Sequence, residues 1–313
     1  MGERLMANGR EDELSQQEKY LLFAVVSLAL LVSSMQFSMV SVALPELIDG
    51  LGAPLRWVGW VITIFTLAQA VSMPVAGKLS DELGRRTVFA GGLTIFAVAS
   101  IACAFAPNVY VLIAARAIQG LAGGSLMPSA YGIVGDTFPG SRAQALGLIS
   151  SIFPVGSVLG PNIGGVIVDH LGWRWTFGLN GPIGAIVVVA ILLVMRRGGQ
   201  ERRKRASIDY AGAGLLALGV GGLIYSLTEL GQTDTDPNYI IVAAGIVTAI
   251  VGLVLFLRQE SRSADPVVDL TLLRRKEFAF VNTLNFFYGV SVFGLFSFIP
   301  LYAESAYGMS SSE

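Results

Sequence analysis

Long apolar segments alternate along the chain with short connections that carry most of its charge. Nine segments have about 20 residues or more, the length that an α-helix needs to cross a hydrocarbon layer of ~30 Å. They cover residues 20–43, 56–76, 87–106, 109–134, 143–167, 176–195, 209–230, 238–257 and 280–302. The first segment is too long, and the tail before it too acidic, for a cleaved signal peptide. The pattern therefore predicts an all-α, polytopic membrane protein.

Composition supports lipid as the solvent around these helices. Only 14% of the 313 residues are charged, against roughly 25% in soluble domains. Cys103 is the one cysteine and His170 the one histidine, so the sequence offers neither an internal disulfide nor a histidine-based metal site. The net charge of −1 does not indicate a nucleic-acid partner, and we expect no cofactor.

The basic residues predict how the chain is threaded through the membrane. Eighteen of the 21 Lys and Arg residues fall in the N-terminal tail and in alternate connections, whereas only Arg56 and Arg174 fall in the others. The remaining base, Arg116, lies within an apolar segment. Because basic loops stay on the cytoplasmic side, we expect a multi-pass protein of the plasma membrane with a cytoplasmic N-terminus.

One of the basic connections has a regular arrangement of charge and glycine. Residues 77–86 read GKLSDELGRR, in which Asp81 precedes Arg85 and Arg86, and glycines stand at both 77 and 84. A water-exposed loop between the second and third segments accounts for the charge, and Gly77 and Gly84 would allow sharp turns. It does not account for the spacing G-x-L-x-D-x-x-G-R-R.

This spacing resembles the signature loop of the major facilitator superfamily. The fourth segment carries RAIQG, similar to the family's R-x-x-Q-G pattern, and the fifth carries GSVLGPNIGG, similar to the antiporter pattern G-x-x-x-G-P-x-x-G-G. Residues 173–184 resemble the fourteen-helix drug:proton antiporter branch. Residues 208–225 are similar to the start of the helix pair that this branch inserts between two six-helix bundles.

The resemblance implies a domain organisation. It comprises a cytoplasmic tail (1–19), a complete six-helix bundle (20–195), a basic cytoplasmic linker (196–207), the inserted helix pair (208–257), a cytoplasmic loop (258–279), and the first helix of a second bundle with its outer loop (280–313). Nine helices leave five of the fourteen unaccounted for. We therefore expect a chain truncated after the ninth helix, either a truncated gene product or a fragment.

The first segment departs from this branch where a membrane-embedded acid is usual. It reads MQFSMVSVALP, with Gln36 at the usual aspartate position and Ser41 at the usual asparagine position. A glutamine side chain does not bind a proton in the physiological range. Proton coupling, which the resemblance implies, would need a different acid.

The resemblance also implies roles for two groups of charged and polar residues. The first group would form a conformational latch: Gly77, Asp81, Gly84, Arg85 and Arg86, with Arg142 as a partner for Asp81. The alternative is surface charge that contributes little. The second group would take part in proton coupling: Arg116, Gln119 and Gly120. The alternative is that Arg116 reaches the outer interface with its long side chain.

Two further groups are predicted from small and aromatic residues. Glycines at spacing four beside a helix-bending proline indicate a hinge or seal, or ordinary close packing: Gly156, Gly160, Pro161, Gly164 and Gly165. Candidates for an apolar substrate cavity are Gln36, Phe37, Met127, Phe153 and Asn162, with Asn282, Asn285 and Phe286 from the ninth segment. For each cavity candidate the alternative is ordinary packing.

Together these features predict a secondary transporter that exports small amphipathic compounds by proton antiport, with two bundles rocking about a central site. The sequence has no G-x-x-x-x-G-K, H-E-x-x-H or G-x-S-x-G pattern, so neither ATP-driven pumping nor an enzyme is predicted. Besides its small-molecule substrate, membrane lipid is an expected partner, at the basic linker. The alternative function is a non-transporting membrane remnant, or a subunit that assembles with another protein.

Overall fold

The computed structural model describes residues 15–195, 209–231, 237–263, 266, 268 and 270–307. All regular structure in these ranges is helical. The α-helices are α1 (Gln16–Val42), α2 (Leu44–Leu51), α3 (Leu55–Leu83), α4 (Arg85–Ala104), α5 (Val109–Thr137), α6 (Arg142–Ser150), α7 (Ile152–Leu171), α8 (Arg174–Gly178), α9 (Asn180–Met195), α10 (Tyr210–Leu230), α11 (Tyr239–Glu260), α12 (Leu270–Leu273) and α13 (Lys276–Tyr307).

Eight helical stretches of the described residues are long and apolar enough to cross a membrane. They correspond to the first eight predicted segments, the fifth being α6 with α7 and the sixth α8 with α9. The ninth predicted segment, 280–302, lies within α13. The prediction of an all-α, multi-pass membrane protein is therefore confirmed.

Polar side chains cap several of these helices where their first backbone N–H groups lack partners within the helix. The Ser15 hydroxyl accepts from the N–H of Glu18, whose carboxylate accepts in return from the N–H of Ser15. Asn108 caps α5 through the N–H of Val111 at 3.0 Å. Such caps each stabilise a helix by about 1 kcal/mol, and they fix where the helices begin.

The charged stretch 77–86 is not the loop that the sequence pattern predicted. Helix α3 continues through Gly77 to Leu83, and only Gly84, with a φ of 95°, separates it from α4. A helix that leaves the hydrocarbon layer still satisfies its own backbone, so charged residues need not end it. Gly77 therefore serves packing and not a turn, since a Cβ built there would lie 3.7 Å from the Cβ of Pro128 on α5.

The short helix α2 packs against the start of α8 at the end of the bundle opposite Gly84. The Glu46 carboxylate on α2 accepts a hydrogen bond from the backbone N–H of Trp173 at 3.0 Å. A Cβ at Gly50 would lie 2.7 Å from the indole Nε1 of Trp173, so only glycine fits there without a shift. This contact joins the connection after the first span to the one after the fifth.

The first six spans form one bundle, in which α5 lies against α3 and α4, while α1 lies against α7 and α9. One buried cluster includes Phe65, Phe89 and Phe96, and a second, nearer the α2–α8 end, includes Leu47 and Phe177. Large apolar side chains also cover the outside of the bundle. In a membrane this surface contacts lipid tails, so its exposure carries no penalty.

The inserted pair α10–α11 packs through glycines and then docks on α3. A Cβ at Gly222 would lie 2.8 Å from the carbonyl oxygen of Gly245, which shows how closely the two backbones approach. The pair meets α3 through an ion pair between Arg56 and Glu229 at 3.4 Å. The rings of Trp60 and Tyr225, 5.7 Å apart, extend this contact.

The predicted domain boundaries remain predictions. Residues 1–14 of the tail and the whole basic linker, 196–207, lie outside the described residues. The predicted cytoplasmic loop 258–279 is shorter in the structure, because α11 extends to Glu260 and α13 begins at Lys276.

Candidate functional site

Arg85 joins three helices at the end of the bundle where α3 gives way to α4. Its Nε and Nη2 donate to Oδ1 of Asp81 at 3.4 and 3.3 Å. Its Nη1 donates to the carbonyl oxygen of Gly132 at 2.9 Å and lies 2.6 Å from Oδ2 of Asp136. Both carboxylates are largely exposed, so the ion pairs contribute little to stability. Their geometric effect is to connect the start of α4 to α3 and α5.

Two glycines make this arrangement possible. Gly84 has the positive φ that side chains with a Cβ rarely adopt. A Cβ at Gly132 would lie 2.3 Å from Cδ of Arg85, so the arginine can cross α5 only at a glycine. Gly132 and Asp136 were not among the residues predicted for the latch. The GIVGD segment around them offered only the spacing of two glycines as a signal.

Arg142 is not the partner of Asp81 that the sequence analysis expected. Its guanidinium lies over α5, where a Cβ on Gly135 would be 3.0 Å from its Nε. Asp81 pairs with Arg85, four residues further along the chain. The short sequence separation favours this partner, whereas Arg142 follows a separate 3₁₀ turn, Pro139–Ser141. Arg86 is half-buried at the start of α4.

Arg116 is completely buried within the bundle. Its Nε donates to the carbonyl oxygen of Val61 at 3.0 Å and its Nη1 to Oε1 of Gln119 at 2.7 Å. The guanidinium carbon lies 4.0 Å from the centroid of the Phe65 ring and 5.7 Å from that of Phe177. Because none of this side chain is exposed, the alternative in which Arg116 reaches the outer interface is wrong.

The rest of the predicted coupling group holds Arg116 in this place. Gln119 is also fully buried and donates its Nε2 to the hydroxyl of Ser100 on α4. A Cβ at Gly120 would lie 2.4 Å from the carbonyl oxygen of Phe65, so this glycine permits the close approach of α3 to α5. The three predicted residues therefore share one site, and the structure adds Val61, Phe65 and Ser100 to it.

The glycine strip of α7 packs directly on α1. A Cβ at Gly156 would lie 1.7 Å from Oγ of Ser34, and one at Gly160 would lie 1.9 Å from Oγ of Ser38. The Ser38 hydroxyl also donates to the carbonyl oxygen of Gly156 at 3.4 Å. Gly164 continues the contact against Met39.

Gly165 and Pro161, the two other residues predicted for the hinge or seal, are less closely packed than the glycine strip. Gly165 has more room, with Cγ1 of Val42 3.9 Å from a Cβ built there. Pro161 lies inside α7 and is half-buried. The strip is therefore a close helix contact, while its part in a hinge or seal stays a prediction.

Of the predicted cavity residues, the structure brings Phe37 and Phe153 into ring contact. Phe37 stacks near Phe65 and Phe153, with ring centroids 6.4 and 6.5 Å away, and forms an aromatic cluster with them. Met127 packs against the buried core. Asn162 is exposed and donates to the carbonyl oxygen of Val158 at 2.9 Å.

Gln36 is fully buried, and its amide oxygen accepts a hydrogen bond from Nδ2 of Asn180 on α9. It therefore faces α9 and not an open cavity. Asn180 was not predicted, since no pattern within the sequence connects residues so far apart. On the ninth segment, Asn282 is exposed and donates to the carbonyl oxygen of Phe278, and Asn285 and Phe286 are also exposed.

The described helices form a membrane-spanning bundle with a buried arginine, Arg116, and with α7 packed on α1 through glycines. This is the architecture of a polytopic membrane protein. Comparison with known families identifies this class: the Major Facilitator Superfamily model matches residues 26–313. The chain belongs to this superfamily.

Two relatives and one solved structure illustrate the similarity. The chain is 35% identical over 304 residues to the multidrug transporter protein MdtP of Bacillus subtilis (strain 168), covering 96% of this chain and 55% of MdtP. It is 32% identical over 304 residues to multidrug resistance protein 3 of the same organism, covering 96% of this chain and 59% of that protein. The similarity to the solved structure of the human organic anion transporter MFSD10 covers 78% of this chain and 72% of the MFSD10 chain, with a TM-score of 0.52 and 19% sequence identity. That last similarity supports the fold alone.

Proposed function

We propose that the chain contributes the first bundle and inserted helix pair of a secondary transporter that exports small amphipathic compounds from the cell. The chain spans 55% of MdtP and 59% of multidrug resistance protein 3, both of which are named for multidrug transport or resistance. The proposed site is the aromatic cluster of Phe37, Phe65 and Phe153, because an apolar surface beside a few polar groups suits such compounds.

The buried Arg116 cluster is the observation that carries this proposal. A charge within a membrane-spanning bundle is costly to insert, by ~2.5–3.5 kcal/mol on insertion scales, and usually serves a transport pathway. Arg116 lies 4.0 Å from the ring of Phe65, so it is directly linked to the aromatic cluster. A substrate that displaces these rings would alter the surroundings of the buried charge.

Proton antiport is the proposed driving process. Gln36 cannot supply the proton-binding group, and it is fixed in a buried contact with Asn180. The proton must therefore bind at another acid. The plasma membrane and a cytoplasmic N-terminus complete the proposal, on the distribution of basic residues.

Export of a preloaded cationic dye from bacteria that lack their own efflux systems tests this function. Cells that express this chain joined to the remaining helices of MdtP, which it covers over 55% of that protein's length, should lose dye faster than cells with an empty vector, and a protonophore should stop the loss. Arg116→Ala should lower the rate, whereas Ile118→Ala, which alters an exposed neighbour on the same helix, should not. Dye loss that persists with the protonophore would contradict proton coupling.

A further inference from the structure

A cleft of about 570 Å³ opens at the end of the bundle opposite Arg85. It lies between the end of α4 and the helices α8 and α9. Its lining includes Ile101, Phe105, Arg174, Trp175, Gly178 and Pro182. The volume is in the range of clefts that hold small organic molecules, which are mostly apolar with a few polar groups. Here the one charged group is a guanidinium.

Arg174 is held in a fixed position at this cleft. Its Nη1 donates to the carbonyl oxygens of Ala104 and Ala106, at 2.8 and 2.9 Å. The guanidinium carbon also lies 4.4 Å from the centroid of the Trp173 ring. The side chain is exposed, and both hydrogen bonds that it makes to the described residues use Nη1. One edge of the guanidinium is therefore bound to the protein, and the other can bind an anion.

Arg56, the other base expected at this end of the bundle, has a carboxylate partner. Arg56 pairs with Glu229 of the inserted helix pair at 3.4 Å, so its charge is balanced within the protein. Arg174 has no carboxylate partner in the described part of the chain. Among the described residues, Arg56 is thus a balanced cation and Arg174 an unbalanced one at the same end of the bundle.

The apolar walls of the cleft are exposed on the outside of the bundle, where a membrane would place lipid. Phe105 is 79% exposed and Trp175 is 49% exposed, and both stand where the chain leaves the span. Aromatic rings prefer this interfacial depth. Ile101, one helical turn deeper, is 43% exposed. A molecule in the cleft would meet a cation at its polar end and an apolar surface below.

We propose that this cleft binds an anionic phospholipid. The phosphate accepts hydrogen bonds from the free nitrogens of Arg174, in the forked geometry that suits guanidinium and phosphate, and an acyl chain lies against Ile101, Phe105 and Pro182. With the N-terminus in the cytoplasm, the lipid belongs to the outer leaflet. The site is separate from the aromatic cluster, and its occupancy is measurable without transport, so either proposal can fail alone.

Lipid binding to the whole chain in detergent, counted by native mass spectrometry, tests the site. Titration with phosphatidylglycerol should give about fivefold tighter binding of one lipid than titration with phosphatidylcholine, as one interfacial base provides. Arg174→Gln should abolish this preference. The matched control Arg56→Gln should retain it. An equal loss in both variants, or no preference in the original chain, would overturn the proposal.

Gly178→Leu provides a second test that leaves Arg174 in place. A Cβ at Gly178 would only touch Ala104 and Trp175, at 3.7 and 3.8 Å, so the backbone tolerates a side chain there, and leucine extends into the cleft. This variant should lose the tightly bound phosphatidylglycerol, and retention would contradict the proposed acyl position. Soluble glycerol phosphate should not compete. Competition would indicate a phosphate site and not a lipid site.

Discussion

Arg116 keeps its positive charge among neutral neighbours. Its contacts are a backbone carbonyl, the amide of Gln119 and the face of Phe65, all of which offer electron density to a cation. These groups replace water only in part, and Nη2 has no hydrogen-bond partner among the described residues. Lysine would not substitute here, because an ammonium group cannot donate in two fixed directions while it stacks on a ring.

Asp209 gives the start of α10 a stability that depends on pH. Its carboxylate accepts from the N–H of Gly212 at 2.7 Å and from Nε2 of Gln259 at 3.1 Å. The Gly212 hydrogen bond foremost, and that of Gln259 in addition, hold the pKa of Asp209 below its usual range despite partial desolvation. The stabilisation is complete above the unfolded pKa of about 3.9 and is lost as the pH falls through the lower folded pKa.

We therefore expect Asp209→Ala to lower the stability of the inserted pair by about 1 kcal/mol at neutral pH, and by less once the original carboxylate is protonated. Thermal unfolding in detergent across a falling pH series measures this difference. Asn238→Ala is the matched control, because Asn238 caps α11 through an uncharged side chain. Its cost should be the same at every pH. A constant cost for Asp209→Ala as well would contradict the role of the charge.

The residues around Arg116 show which contacts a sequence can predict. Gln119 was predictable, since residues three positions apart share a helix face. Val61 and Phe65 were not, because they reach Arg116 only after α3 has packed against α5. Ser100 was not either, because it reaches Gln119 only after α4 has packed against α5. The same limit applies to Asn180 as the partner of Gln36. Asn180 lies 144 residues from Gln36 in the sequence, and the two meet only because α9 packs against α1.

At the scale of helices, the contact between α1 and α7 depends on the absence of side chains. We expect Gly160→Ala to destabilise the chain by about 1–3 kcal/mol, because the new Cβ would lie 1.9 Å from Oγ of Ser38 and 2.8 Å from the carbonyl oxygen of Met35. The carbonyl cannot rotate away, so the helices must separate. Unfolding of the purified chain by a denaturing detergent measures the loss.

Gly165→Ala is the control on the same helix. The nearest atom to its Cβ would be Cγ1 of Val42 at 3.9 Å, an ordinary contact. Alanine also favours a helix over glycine by up to about 1 kcal/mol, so this variant should be as stable as the original or slightly more so. Equal stability of the two variants would show that the strip is not the close contact that the structure describes.

The positions of the helices could be predicted from the sequence, because every helix that crosses the hydrocarbon layer needs about 20 consecutive apolar residues. Apolar length fixes how many residues cross, and the observed spans agree with the predicted ones to within a few residues at most ends. The ends were harder to predict. The seven residues 77–83 were assigned to a loop because charge and glycine mark loops in soluble proteins, yet they are helical. The short helix α2 was missed, although Pro45 and Gly52 mark its start and end.

At the scale of the molecule, the Arg85 cluster and the Arg174 cleft lie at opposite ends of α4. The first cluster is rich in charge, whereas the second has one base between aromatic rings. This asymmetry is what the positive-inside rule produces when basic residues stay in the cytoplasm. It predicts which end of the bundle faces each side of the membrane, and this orientation determines which leaflet and which compartment each site would contact.

Thiol labelling of intact cells tests that orientation, and the chain is suited to it because its one cysteine, Cys103, is buried. Pro107→Cys and Gly140→Cys place new thiols at exposed positions in connections at opposite ends of α5. A membrane-impermeant maleimide should label position 107 in intact cells, and position 140 only after the membrane is opened. The original chain should remain unlabelled in both conditions. Labelling of position 140 in intact cells would invert the orientation and would assign the Arg174 cleft to the inner leaflet.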